Sequence, residues 1–207
     1  MTAAARRFGF TSREWRAQRA LASPAGIQKA LEAMPDHVAT TAWSPRRVLR
    51  EGTAHCLEGA VFAAAALRTL GFPPLLLDLE AVQDSDHVIA VYRLRNHWGA
   101  IAKSNFSGLR FREPVYRTVR ELVMSFFESY MNLRGERTLR AYSQPVDLGR
   151  FDRRHPGWMT AEDDVWWIPE RLVRVPHTRL LTAAMVRSLS RVDRRALAAG
   201  LVGHRKH

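Results

Sequence analysis

Cysteine is nearly absent from the 207-residue chain: Cys56 stands alone. One thiol permits no intramolecular disulfide and no metal site built from paired thiolates, and it fits a reducing compartment such as the cytoplasm. Lysine is almost as scarce, occurring only at Lys29, Lys103 and Lys206, so arginine supplies nearly all of the 32 basic residues that outweigh 20 acidic ones. The net charge of +12 makes an acidic partner such as nucleic acid worth weighing. The arginine bias is explained at least as well by GC-rich coding. No apolar run approaches the roughly 18 residues of a membrane span, and Met1 to Phe10 holds two arginines without an apolar core of signal-peptide length. The expectation is a cytoplasmic protein with no membrane span. An apolar content of 46% is enough for one real core, read as one domain over 1–207 with its core at about 44–135 and a C-terminal extension at 136–207.

Helix signals come first. Thr11, Ser12 and Glu14 supply caps for a helix to Leu21, and Ser23-Pro24 and Ser44-Pro45 each place a cap before a proline at the first helical position. From Cys56 to Leu70 the chain reads CLEGAVFAAAALRTL, almost uncharged and rich in alanine, as a helix buried on most sides requires; Gly71 ends it. LLLDLEAV follows, then a polar loop at Asp84 to Asp86, a strand-like HVIAVYRLR, a hairpin connection at Asn96-His97, and WGAIAKS as the antiparallel partner. TVRELVMSFFESYMNL has the spacing of an amphipathic helix. Residues 143 to 176 read as an ordered, loop-rich segment with Trp158, Trp166 and Trp167 buried in place of regular structure, and helices are predicted at Thr182 to Leu189 and Val192 to Leu201. The fold class is α+β.

Cys56 opens its helix. A helix N-terminus lowers a thiol's pKa and offers unpaired N–H groups to a developing oxyanion. A nearby imidazole would complete the nucleophile by taking the thiol proton. His87, first on its strand and 31 positions later, is the candidate; His55 adjoins Cys56 and is read as a cap or a pocket-lining residue. The plainer readings are a small buried cysteine and a strand-end histidine bonded to a backbone carbonyl. A zinc set of His55, Cys56 and His87 lacks recognisable ligand spacing.

GTAHCLEGAVFAAAALRTLGFPPLLLDL resembles the nucleophile segment of the transglutaminase-like superfamily, and DHVIAVYRLRNHWGAIAKSN resembles its histidine strand, turn and tryptophan-containing strand. The likeness covers roughly residues 45 to 106; the text from Lys103 to Phe127 is also similar to bacterial relatives of that superfamily. It implies a papain-like core with the cysteine helix packed on an antiparallel sheet, Cys56 and His87 as the catalytic pair, and Glu58 and Trp98 on motif positions, expected with His55 beside the substrate. The superfamily's aspartate after the tryptophan is missing, since the chain reads Trp98-Gly-Ala-Ile-Ala-Lys-Ser-Asn105. The Asn105 amide oxygen or the Ser104 hydroxyl would then orient His87, whereas a protonated Lys103 cannot accept such a bond.

The leading expectation is a cofactor-free thiol acyl transferase or hydrolase acting on a peptide, protein or small amide or ester. The alternative is a catalytically degenerate member that binds nucleic acid or an acidic partner. Arginines 110, 112, 117 and 120 are read as a solvated face or an anion patch.

Overall fold

The computed structural model describes Arg6, residues 8 to 36 and residues 38 to 204. Most of the N-terminal segment weighed as a leader, and residues 205 to 207, lie outside those residues. From Ser12 onward the described residues form α1 (Ser12–Ala20), α2 (Pro24–Ala33), α3 (Pro45–Glu51) and α4 (Cys56–Thr69). Thr11, Ser23 and Ser44 each accept a backbone N–H from the first turn of the helix that follows, and Thr11 with Glu14 completes a reciprocal box. After α4 come β1 (Leu75–Ala81), β2 (His87–Leu94), β3 (His97–Ile101), β4 (Arg112–Tyr116) and α5 (Val119–Phe127). The chain then makes β5 (Leu139–Ser143), β6 (Val146–Asp147), a 3-10 turn at Leu148–Phe151, α6 (Trp167–Arg174), β7 (His177–Arg179), α7 (Ala183–Arg187) and α8 (Arg194–Gly200).

All strand pairings are antiparallel, in the order β4-β3-β2-β1-β5-β7, with β6 beside the start of β1. The β2–β3 hairpin turns on Arg95 and Asn96, both at positive φ, so His97 belongs to the strand rather than to the turn. The sheet is covered on both faces. Leu76, Val88, Ala90 and Tyr92 join the core built around α4, while Leu77, Leu79, Ile89 and Val91 join a second core with Leu122, Val123 and Phe126 of α5. Strands buried on both faces need apolar residues at successive positions, which is why β1 and β2 show so little alternation.

The segment 136–207, read as an extension of the one domain, is built into its sheet and core. β5 lies directly against central β1, and Trp158, Ile168 and Leu172 sit in the α4 core, so the C-terminal third completes the sheet. The loop-rich reading of 143 to 176 also missed α6. Pro169 lies in its first turn, where an N–H has no helical partner and proline costs little. Of the tryptophans there, Trp158 is 2% exposed and Trp166 41% exposed, while Trp167 stacks on His155 with ring centroids 4.1 Å apart. The arginine face is not one surface: Arg112 is half-buried over the Phe126 ring at 3.9 Å and donates to Ser125 and Gly108.

Gly99 pairs with Tyr92 across the hairpin, and a Cβ there would lie 2.5 Å from the Tyr92 ring and 2.9 Å from the Arg112 carbonyl. Neither neighbour is the free end of a flexible side chain. Gly99→Ala is expected to destabilise the fold by about 1–3 kcal/mol, measured by urea unfolding; an unchanged midpoint would show that the hairpin yields at no cost.

Candidate functional site

Helix α4 is buried along nearly its whole length, but its first residue is only half-buried. Cys56 therefore surfaces where α4 meets the end of the sheet, near the backbone amides of Val88 and Leu57 and its own, all of which favour the thiolate. Burial outweighs these amides and pushes the thiol pKa up.

A cleft of about 570 Å³ opens over this point. Cys56, His55 and His87 line it together with Asp36 and residues 38 to 40, the loop Asp84 to Asp86, the segment Lys103 to Phe106 with Leu109, and Tyr130, Met131 and His204. Cys56 and His87, 31 positions apart in the chain, thus border one space.

His87 is 5% exposed, and its Nε2 donates to the Leu109 carbonyl at 3.1 Å. With the proton on Nε2, the neutral ring keeps its basic lone pair at Nδ1. Burial lowers the pKa from 6.5 to about 4, although the bond to Leu109 works the other way. The Tyr130 ring meets His87 edge-on with centroids 6.5 Å apart, and its hydroxyl donates to the Ser85 carbonyl at 2.8 Å, holding the loop that leads into His87.

The expected orienting residues are displaced from that role. Asn105 and Ser104 border the cleft, but the acceptor on Nε2 is the main-chain oxygen of Leu109, and the Ser104 hydroxyl accepts the Phe106 N–H at 3.0 Å. Lys103 does not confront His87 as an isolated cation: its Nζ lies 2.8 Å from Asp36 and donates to the Met34 carbonyl at 2.7 Å.

Glu58 and Trp98 lie away from the lining of the cleft, contrary to expectation. Glu58 is fully buried and accepts from the Thr41 hydroxyl at 2.7 Å, the Trp43 N–H at 3.1 Å and the His55 N–H at 3.3 Å. An acid in the first helical turn finds its nearest donors in the helix's own unpaired N–H groups and the loop beside them. Glu58 therefore ties residues 41 to 43 to the helix start. His55 faces both that carboxylate, at 3.5 Å, and the Thr41 carbonyl, at 2.9 Å. Trp98 pairs with Arg93 and Tyr116 and packs on the α5 core.

Asp36, Asp84, Asp86, Tyr130 and the Leu109 carbonyl were missed. Asp84 and Asp86 were read as loop polarity, and a main-chain acceptor leaves no mark in a sequence. Among the described residues no three His, Cys, Asp or Glu side chains converge as metal ligands, and no helix is long and apolar enough to cross a membrane. Comparison of the sequence with protein-family models and with curated proteins finds no match.

The histidine makes a prediction about stability. Its ring titrates near 6.5 when free and near 4 in the fold, so between these values the unfolded chain binds the extra proton and stability falls as pH falls. The loss is roughly 2 kcal/mol by pH 5. In urea unfolding, His87→Gln is expected to flatten this part of the profile relative to the wild type between pH 7 and pH 5; identical slopes would mean that His87 is not held neutral.

Proposed function

We propose that the protein is a thiol-dependent acyl transferase or hydrolase of transglutaminase-like type, with a papain-like core, in which Cys56 attacks an amide or ester carbonyl and His87 moves the proton. The observation that carries this reading is the shared cleft, with a thiol at the start of a buried helix and an imidazole whose basic nitrogen is defined by the hydrogen bond on the other. Both groups are neutral at rest, because burial raises one pKa and lowers the other. The chemistry is then general-base catalysis rather than attack by a preformed thiolate.

In the first step sulfur forms its bond to the acyl carbon while Nδ1 of His87 takes the thiol proton. The Leu109 carbonyl holds the imidazolium in place through Nε2–H. Backbone N–H groups at the start of α4 stabilise the oxyanion. The imidazolium then returns the proton to the leaving amine or alcohol as the thioester forms, and water or an amine releases the acyl group with His87 again as base. A carbonyl dipole stabilises imidazolium less than a carboxylate would, consistent with the low pKa of His87.

The resting neutrality also favours a second reading, a degenerate relative of that superfamily that binds acidic partners through its basic surface. Acylation separates the two. With p-nitrophenyl acetate the wild type is expected to release a burst of nitrophenol and to carry the acyl group on Cys56 by peptide mass spectrometry. Cys56→Ala should abolish the burst, and His87→Ala should slow it by about 10²–10⁴-fold. Equal release by the wild type and Cys56→Ala would remove the catalytic reading.

A further inference from the structure

The cleft over Cys56 is charged against the sign of the rest of the molecule. The chain carries +12, yet three aspartates and one lysine border the cleft: Asp36, Asp84, Asp86 and Lys103. Asp36 and Lys103 balance each other at 2.8 Å. Asp84 and Asp86 have no such balance among the described residues. Both are exposed, and their bonds go to uncharged donors: Asp84 accepts the Thr138 hydroxyl at 2.7 Å and the Ser85 N–H at 2.9 Å, and Asp86 accepts the Ala81 N–H at 2.8 Å. Arg134 reaches this loop only through Gln83, at 3.3 Å, and is itself engaged by Glu136 at 3.0 Å. The two charges are felt at one wall of the cleft: after burial, they are among the causes that raise the Tyr130 hydroxyl. His87, one residue beyond Asp86, offers no compensating charge at neutral pH.

We propose that this cleft selects acyl donors bearing a positive charge, an ammonium or guanidinium, close to the reacting carbonyl, with Asp84 and Asp86 as the specificity-determining residues. This rests on the reading of Cys56 as the nucleophile. The carboxylates stand on the loop that runs into His87 and border the same cleft as Cys56, so a cation held by them shares that space with the proposed nucleophile. Each carboxylate about 6 Å away through solvent is worth roughly threefold in the encounter with a cation. The overall charge of the molecule works in the opposite direction and draws anions to its surface. The local and global fields therefore predict opposite preferences.

Three methanethiosulfonates that share one reacting group and differ in charge provide the test: trimethylammonioethyl, methyl and sulfonatoethyl. Their rates with Cys56 in the full-length protein are measured at pH 8 and low ionic strength, each divided by the same reagent's rate with 2-mercaptoethanol. The expected normalised cation-to-neutral ratio is about 10, falling toward 1 in Asp84→Asn/Asp86→Asn and in high salt, with the anion about tenfold slower than the neutral reagent. Asparagine keeps an accepting oxygen for Thr138 and Ala81. Should the double variant fail to fold, Asp84→Asn and Asp86→Asn are expected each to lower the ratio about threefold. A ratio at or below 1 in the wild type, or one indifferent to these substitutions while the neutral reagent still modifies Cys56, overturns the selectivity and leaves the nucleophile standing. Inertness toward all three reagents overturns both.

Discussion

A helix buried on all sides can meet solvent only at its ends, and in α4 this constraint decides where a ligand can reach it. Residues 57 to 67 are enclosed by α1 to α3, the sheet and the C-terminal segment, so no side chain along that stretch is open to a ligand. At the C-terminal end Arg68 is committed to Asp152, a pairing that ties the helix to the segment after β6. The N-terminal end opens onto the cleft shared with His87, while the second cavity, at the C-terminal end, is bordered by that paired Arg68 and Asp152. Burial thus fixes the position of Cys56 and also determines its chemistry, since the enclosure that holds the helix in place raises the thiol pKa. The backbone amides of Val88, Leu57 and Cys56 favour the thiolate without overcoming that shift.

The same constraint explains what could be read from sequence. A fully buried helix admits almost no polar residue, so CLEGAVFAAAALRTL announces itself, and the capped starts of α1 to α3 were equally explicit. β5 was not. Its inward residues are Leu139, Ala141 and Ser143, and only the fold shows that Ser143 is needed to accept the Asp78 N–H at 2.9 Å. β4 was hidden by its arginine: Arg112 is compatible with burial because the ring of Phe126 and the oxygens of Ser125 and Gly108 receive its guanidinium. Pattern reading treats such an arginine as solvent-facing, since the groups that accept it lie on other elements.

For the site, local signals located Cys56 and His87, while the groups around them depend on long-range closure. Glu58 illustrates the limit. An acid two positions after a helix-opening cysteine is equally compatible with contacting a ligand and with satisfying the helix's own N–H groups; the loop at Thr41 to Trp43, which supplies two of its donors, decides for the second. Lys103 could be read only as a cation unable to accept the His87 bond, because Asp36, its partner 67 positions away in sequence, could not be paired with it in advance.

The acceptor on His87 changes how the site must be maintained. A side-chain carboxylate or amide can hold an imidazole from a rigid strand, but here the acceptor is a main-chain oxygen in the segment between β3 and β4, and its position is only as fixed as that segment. The stitching is visible: Leu109 N–H donates to Phe106, Arg110 to the Ser104 carbonyl and Arg112 to the Gly108 carbonyl. Ser107 donates twice to α8, through its N–H to Gly200 at 3.0 Å and its hydroxyl to Ala199 at 2.6 Å. α8 buries little of its own surface, yet it is bonded to the segment that orients the imidazole, and beyond it His204 borders the cleft. A role carried by one side chain in a Cys-His-Asn site is here distributed over a hydrogen-bonded segment and a C-terminal helix more than 90 positions away, so the orientation of His87 depends on the docking of that helix as well as on its own strand.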